Sequence, residues 1–262
     1  MIPKTIHYVW LSGEPYPALI ERCMRSWHKH MPDYQLRQWS MADFDIHSVP
    51  FVEEACSARK WAFATDYIRL HALYTEGGIY LDTDVLLKQS LEPIFSSSAE
   101  KAFITPIEKT FADSLPEGAD KPTGGDMFNI YLQAAAMAST PGHPFLAECM
   151  EHYRTHRFIR KDGTLDREIA PRIYARTAEK HGLQYADVRQ ELSGGATILP
   201  SYYVASGYRM EEKGSYAVHV GTAIWRDESC WKRWGRRFLN RFPQLFRLAS
   251  RVRCRILKRP TD

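Results

Sequence analysis

The segment Glu76-Gly77-Gly78-Ile79-Tyr80-Leu81-Asp82-Thr83-Asp84 constrains the fold of this 262-residue chain more than any other. Ahead of it, residues 51–76 read as one helix, with Phe63, Tyr67, Leu70 and Tyr74 on a single stripe at the 3.6-residue period. The two glycines stop that helix. Residues 79–87 then read as a strand, in which alternate side chains share a face, so Tyr80, Asp82 and Asp84 point one way and Ile79, Leu81 and Thr83 the other. Extended spacing sets the two carboxylates about 7 Å apart. Like charges side by side in an apolar setting repel and resist desolvation, so they require a cation or water. A divalent ion meets the need, since Mg²⁺ or Mn²⁺ typically takes one or two protein carboxylates and fills its other positions with water and phosphate oxygens. A solvated strand end meets it equally, and a lone Asp-x-Asp is too common to separate the two.

Around this segment strands and helices alternate. Residues 4–11 read as a buried opening strand, residues 17–30 as a helix with Pro17 in its first turn, and 34–39 as a second strand, with Ser40 or Asp43 placed to cap a short helix. Helices are expected at 144–158 and 166–181 and a last short strand at 216–220. This order predicts an α/β sheet covered on both faces.

Composition excludes disorder and fibrous classes, with 44% hydrophobic and 25% charged residues. No apolar run approaches the roughly 20 residues a membrane-spanning helix needs. The opening Met1-Ile2-Pro3-Lys4 has no leader-peptide pattern, and five scattered cysteines without a Cys-x-x-Cys pair argue against a disulfide framework or a structural zinc. A cytoplasmic protein, or one peripheral on the inner face of the cytoplasmic membrane, is expected. The net charge of +4 conceals an asymmetry: residues 226–262 hold 12 Lys+Arg against 3 Asp+Glu, a net +9, which leaves 23 against 28, a net −5, for residues 1–225. Two domains follow, a mildly acidic body over 1–225 and a basic helical tail over 226–262. In the tail Trp231, Trp234, Phe238, Phe242, Leu245, Leu248, Val252 and Ile256 recur at helical spacing opposite the cations, as in helices that lie on an anionic membrane surface. Packing of that stripe on the body is the alternative. Nucleic acid is the disfavoured partner, because basic charge comes here without a reading motif.

Upstream of the glycines, Asp66 and Arg69 stand at i and i+3 on one shoulder of the helix, where they form either an intrahelical ion pair or the wall of a cleft shared with Asp82 and Asp84. In such a cleft Asp66 would accept from sugar hydroxyls and Arg69 would donate to hydroxyl or phosphate oxygens.

The run Ile2-Pro3-Lys4-Thr5-Ile6-His7-Tyr8-Val9-Trp10-Leu11, then Ser26-Trp27, Pro32-Asp33-Tyr34, Ala62-Phe63-Ala64-Thr65-Asp66-Tyr67-Ile68-Arg69, Leu73-Tyr74 and Gly77 to Asp84 resembles glycosyltransferase family 32, the DXD sugar transferases. The resemblance is strong over residues 2–87 and looser through Gly142-His143-Pro144 to Trp225. It implies a GT-A fold, a Rossmann-like nucleotide-sugar-binding architecture, with a UDP- or GDP-sugar donor, Mn²⁺ or Mg²⁺, a glycan or lipid-linked acceptor, and transfer with retention of configuration. By the same resemblance Val9 and Trp10 border the nucleotide base, Asp66 and Arg69 hold the donor sugar, Asp82 lies near ribose and metal, and Asp84 is the principal metal ligand. His219, six residues before Trp225, matches the closing motif, as a metal ligand and an indole N–H donor respectively. The family's second His is Val220 here and its small hydroxyl residue is Ile224, with Thr222 as a substitute. Asp126 and Asn129 fall where the family often has polar donor-site residues.

A departing nucleoside diphosphate needs its growing charge neutralised, which an ion with Arg and indole donors would do. No local pair of carboxylates resembles that of a glycoside hydrolase. A front-face mechanism is therefore expected, in which the departing phosphate takes the acceptor proton. The rival readings are a nucleotide-sugar hydrolase and a non-catalytic sugar-nucleotide-binding protein.

Overall fold

A computed structural model describes residues 1–97, 99–111, 128–208 and 210–221. The tail, Trp225, Thr222, Ile224, Asp126, Cys230 and Cys254 lie outside these residues, as does the 225/226 domain boundary. Within them the chain forms β1 (Thr5–Val9), α1 (Ala18–His30), β2 (Gln35–Trp39), α2 (Pro50–Ser57), α3 (Trp61–Glu76), β3 (Gly78–Leu81), β4 (Val85–Leu87) and α4 (Glu92–Phe95). There follow β5 (Phe103–Phe111), β6 (Phe128–Leu132), β7 (Ala136–Ser139), α5 (Pro144–Thr155), α6 (Ala170–Glu179), β8 (Gln190–Glu191), β9 (Ala196–Leu199), β10 (Val204–Ser206) and β11 (Ala217–His219). One sheet runs β2-β1-β3-β7-β5-β9-β8 with β6 joined to β5, and a smaller one runs β10-β11-β4. The expected α/β class holds, with one large sheet at the centre. The sheet is mixed: β1 is parallel to β2 and β3, and β7 is antiparallel to β3 and β5.

Alternation along β1 and β3 divides the core. Ile6, Tyr8, Ile79 and Leu81 join a cluster with Trp27 of α1 on one face, while Val9 and Tyr80 join the cluster of α2, α3, α5 and α6 on the other. Chain order sends β1 to β2 on one side and β3 on the other, so the carboxyl ends of β1 and β3 border a topological switch point, where open α/β sheets leave a crevice.

Several expectations are corrected. The helix expected over 51–76 is two helices, because Arg59 adopts φ 54° between α2 and α3, a left-handed conformation that no helix interior accepts. The strand expected over 79–87 is interrupted by a turn at Asp82-Thr83-Asp84, closed by Val85 N–H donating to the Asp82 carbonyl at 2.9 Å. No short helix follows Ser40; Asp43 instead accepts from Ser40 N–H and Arg37, and Asp45 caps a 3₁₀ turn. The last two helices are shorter than expected. Gly77 and Gly78 do more than stop α3: both have positive φ, 68° and 96°, and a Cβ on Gly78 would lie 2.7 Å from the Thr5 carbonyl oxygen, so only glycine lets β3 start against β1 here.

His7 pins this junction. Its Nδ1 accepts from the Trp39 indole N–H at 3.1 Å, and since indole is a donor only, the ring is neutral and its Nε2 donates to the Gly77 carbonyl at 2.8 Å. Burial pushes its pKa down to about 4 against the pull of the Gly77 carbonyl, with Arg37 adding to the depression; Glu76, 3.9 Å from Nδ1, is the nearest carboxylate. A base with a depressed folded pKa loses stability as pH falls from its unfolded value toward the folded one. Between pH 6.5 and 4 His7 should therefore cost on the order of 3 kcal/mol. Urea unfolding across that range should show a slope shallower by about one proton in His7→Gln; equal slopes would refute the assignment.

Candidate functional site

α3 and β3 run antiparallel through the Gly77-Gly78 turn, which returns the DXD segment beside the first turns of α3. Arg69, buried, reaches Asp66 Oδ1 at 3.0 Å, Asp82 Oδ1 at 3.4 Å and the Ala134 carbonyl at 2.9 Å, with its guanidinium 5.1 Å from the centroid of the Tyr80 ring. Asp66 and Arg69 are thus both an intrahelical pair and a link to the DXD segment, and they lie deeper than a shoulder facing open solvent. Tyr80, on the same face as Asp82, donates its hydroxyl to Asp82 Oδ1 at 2.7 Å, and Asp82 N–H donates to the Ala135 carbonyl at 2.8 Å. Burial pushes the Asp66 carboxyl up to about 7, outweighing Arg69, and the neighbouring Asp82 charge adds to the rise.

The turn at Thr83 brings the carboxylates nearer than an extended strand would. Among the described residues one group of His, Cys, Asp and Glu can hold an ion, Asp82, Asp84 and His219, whose ligand atoms lie within 4.8 Å of one another. β11 supplies the histidine, because it pairs antiparallel with β4 and sets His219 opposite Val85, next to Asp84. His219 Nε2 is 3.3 Å from Asp84 Oδ1. Burial alone would lower the imidazole pKa, but the Asp84 carboxylate reverses this and holds it up, at about 9. The donor set suits a divalent ion: an octahedral ion with bonds of about 2.1 Å spans donors up to about 4.2 Å apart, so a small contraction closes the group. Two carboxylates with one imidazole suit a divalent ion and lack the thiolates of the Cys-rich sets of structural zinc.

Val9 and Trp10 stand at the same end. Register pairs His7 with Tyr80, and its continuation sets Val9 level with Asp82. Trp10 lies against Tyr16, ring centroids 5.0 Å apart, and its indole donates to the Glu14 carbonyl at 2.8 Å. Val220 donates its N–H to the Asp84 carbonyl at 3.0 Å, so the position where the family has a second histidine serves here through its backbone. Asn129 is buried on β6, and its side-chain N–H₂ has no partner among the described residues. The carbonyls of Ala134 and Ala135 and the Tyr80 hydroxyl were not foreseen as site groups. Only Tyr80 carried a signal, its two-residue spacing from Asp82.

Residues 17–100 match the model of the glycosyltransferase sugar-binding region containing a DXD motif, a span that includes Asp66, Arg69, Asp82 and Asp84. Inositol phosphoceramide mannosyltransferase 3 of Schizosaccharomyces pombe is 34% identical over 97 residues, 36% of this chain and 27% of the relative. Inositol phosphoceramide mannosyltransferase 1 of the same yeast is 26% identical over 183 residues, 65% of this chain and 49% of the relative. The chain therefore spans half or less of the length of these relatives. Among solved structures, a PaToxG glycosyltransferase aligns with TM-score 0.45 at 16% identity, covering 68% of this chain and 69% of that one. The galactosyltransferase LgtC, solved with donor and acceptor sugar analogs, aligns with TM-score 0.42 at 15% identity over 90% of this chain and 95% of that one.

Proposed function

With the DXD-containing sugar-binding region of glycosyltransferases spanning its residues 17–100, this chain, we propose, is a metal-dependent retaining glycosyltransferase that moves a hexosyl group from a nucleotide-diphosphate donor. The observation that carries the reading is the convergence of Asp82, Asp84 and His219 beside the buried Asp66–Arg69 pair. Those three side chains would hold Mn²⁺ or Mg²⁺, which would supply charge stabilisation for the diphosphate. Asp66 and Arg69 face the donor sugar, with the Asp66 carboxylate accepting from hydroxyls and Arg69 keeping Asp82 in place. Val9 and Trp10 border the base, and Trp225 supplies its indole N–H to the leaving phosphate. The bond from the anomeric carbon to the phosphate oxygen breaks while the acceptor oxygen bonds to the same face of that carbon, and the acceptor proton passes to the departing phosphate. Asp66 and Asp82, both drawn to Arg69, act in this scheme as binding groups.

The two yeast relatives bear the name of mannose transfer to a lipid, and the +9 segment over 226–262 suits an enzyme working on an anionic membrane surface, each engaged cation contributing about 1 kcal/mol. A mannosyl donor and a lipid-linked acceptor are thus the leading substrates, met at the inner face of the cytoplasmic membrane. A thermal-shift panel of UDP- and GDP-sugars should show one donor that stabilises the full chain only when Mn²⁺ or Mg²⁺ is present, followed by a product with retained anomeric configuration. No metal-dependent shift with any donor, or free sugar released equally with and without acceptor, counts against transfer. Flotation with anionic liposomes should retain the full chain and lose a variant carrying Arg236→Ser, Arg237→Ser, Arg241→Ser and Arg247→Ser; equal partition removes the membrane role.

A further inference from the structure

β4 is three residues long and, among the described residues, has one strand neighbour, β11. Residues two apart in a strand turn their backbone groups to the same edge. Along the edge of β4 away from β11, Val85 and Leu87 therefore present a carbonyl and an N–H that no strand among the described residues receives. α1 receives them with two consecutive side chains: the Trp27 indole donates to the Val85 carbonyl at 2.7 Å, and Ser26 Oγ accepts from Leu87 N–H at 2.9 Å. Ser26 in turn donates to the Cys23 carbonyl at 2.5 Å, which fixes its hydroxyl proton and leaves a lone pair for Leu87. Both side chains are buried, and the Trp27 ring is wedged edge-on against Tyr8 of β1. The register places Val85 directly opposite His219, and Val85 follows Asp84 in the chain.

We propose that Ser26 and Trp27 are positioning residues for the divalent-ion site, α1 holding this edge of β4 as a neighbour strand would, so that Asp84 and His219 keep their separation. The inference rests on the metal reading of Asp82, Asp84 and His219. Without the indole N–H the Val85 carbonyl is left buried and unpaired. A three-residue strand has few other bonds with which to hold its place, and the ligands on either side of it, Asp84 and His219, lose their fixed spacing.

Mn²⁺ titration of the full-length protein without nucleotide, followed by EPR, tests this. Trp27→Phe keeps an aromatic ring in the core, loses some volume and removes the N–H, and should weaken Mn²⁺ binding about tenfold, the usual effect of losing a group that supports a metal ligand. The imidazole-nitrogen coupling in pulsed EPR should fall with it. Trp39→Phe is the control, because it also removes a buried indole hydrogen bond, to His7, at a place that touches no ligand. It should lose comparable stability and bind Mn²⁺ as wild type does. If Trp27→Phe does not fold, Ser26→Ala removes the Leu87 acceptor alone and should give a smaller loss in the same direction. Wild-type affinity in a folded Trp27→Phe or Ser26→Ala protein, or an equal loss in Trp39→Phe, overturns the positioning role while leaving the metal site intact. Absence of Mn²⁺ and Mg²⁺ binding in the wild type overturns the metal reading itself, and the positioning role with it.

Discussion

In Asp84→Asn, transfer from the nucleotide-sugar donor is expected to fall about 10²- to 10³-fold, because a bound divalent ion supplies several kcal/mol of charge stabilisation and each 1.4 kcal/mol is a factor of ten. Of the three proposed ligands Asp84 is the one whose loss should matter most. It is buried, it lies between Asp82 and His219, and its backbone carbonyl is fixed by Val220 N–H. Asparagine keeps the size and the ability to accept a hydrogen bond and removes the charge, so the loss belongs to ion binding rather than to packing. Wild type in chelator should behave as the variant does. Stability separates the two roles of the carboxylate. Asp84 raises the His219 pKa to about 9, and a histidine raised in the folded state contributes stability that is complete below its unfolded value and is lost as pH rises through 9. Asp84→Asn should therefore melt lower than wild type near pH 6 and approach it only above pH 9, while remaining unable to bind Mn²⁺ at either pH. Activity within threefold of wild type, in the variant or in chelator, would end the metal hypothesis.

What could be read from the chain before folding follows the range of the interactions involved. Asp66, Arg69, Asp82 and Asp84 sit within nineteen consecutive positions, on a helix and the strand it launches through two glycines, so local periodicity was enough to bring them toward one cleft. Their depth was not legible, since the burial of Arg69 depends on Ala134 and Tyr80 closing over it. Neither was the turn at Asp82-Thr83-Asp84: alternation extends a strand until something breaks it, and here the break is one hydrogen bond back to the Asp82 carbonyl. β5 to β7, β9 and β10 went unseen for two reasons. Ala134, Ala135, Ala136, Met137 and Ala138 are good helix formers, and β7 is buried on both faces, so no period of two marks it. β5 carries Pro106 in its interior, which ordinarily demotes a strand. His219 entered only through the resemblance to family 32, because no spacing rule connects it with Asp84 across 135 positions; the β4–β11 register makes the connection.

The largest loss of stability is expected from Arg69→Met. Removing one partner from a buried ion pair leaves an uncompensated charge and typically costs about 3–5 kcal/mol. Arg69 holds two carboxylates, Asp66 at 3.0 Å and Asp82 at 3.4 Å, together with the Ala134 carbonyl, so methionine fills the space but takes a donor from all three, and only Asp82 keeps another, the Tyr80 hydroxyl. Of the two carboxylates Asp66 is the more deeply placed. Its pKa already stands near 7 with Arg69 present and must rise further without it. A carboxyl raised in the folded state binds a proton that the unfolded chain has released, so stability falls as pH increases from the ordinary carboxylate range toward the folded pKa. Wild type should show this decline up to pH 7, and Arg69→Met should carry it beyond pH 8 at about 1.4 kcal/mol per pH unit. The direction is opposite to that of His7, which loses stability on acidification, so the two groups are separable in one series of urea unfolding curves from pH 4 to 8.5. Asp66→Asn in the Arg69→Met background should recover part of the loss at pH 8 and none at pH 4, where the carboxyl is already neutral. Asp66→Asn alone should cost far less than Arg69→Met, because Arg69 keeps Asp82 and the Ala134 carbonyl. A pH-independent loss in Arg69→Met, or one below about 1 kcal/mol, would show that the guanidinium is not what keeps these carboxylates charged in the interior.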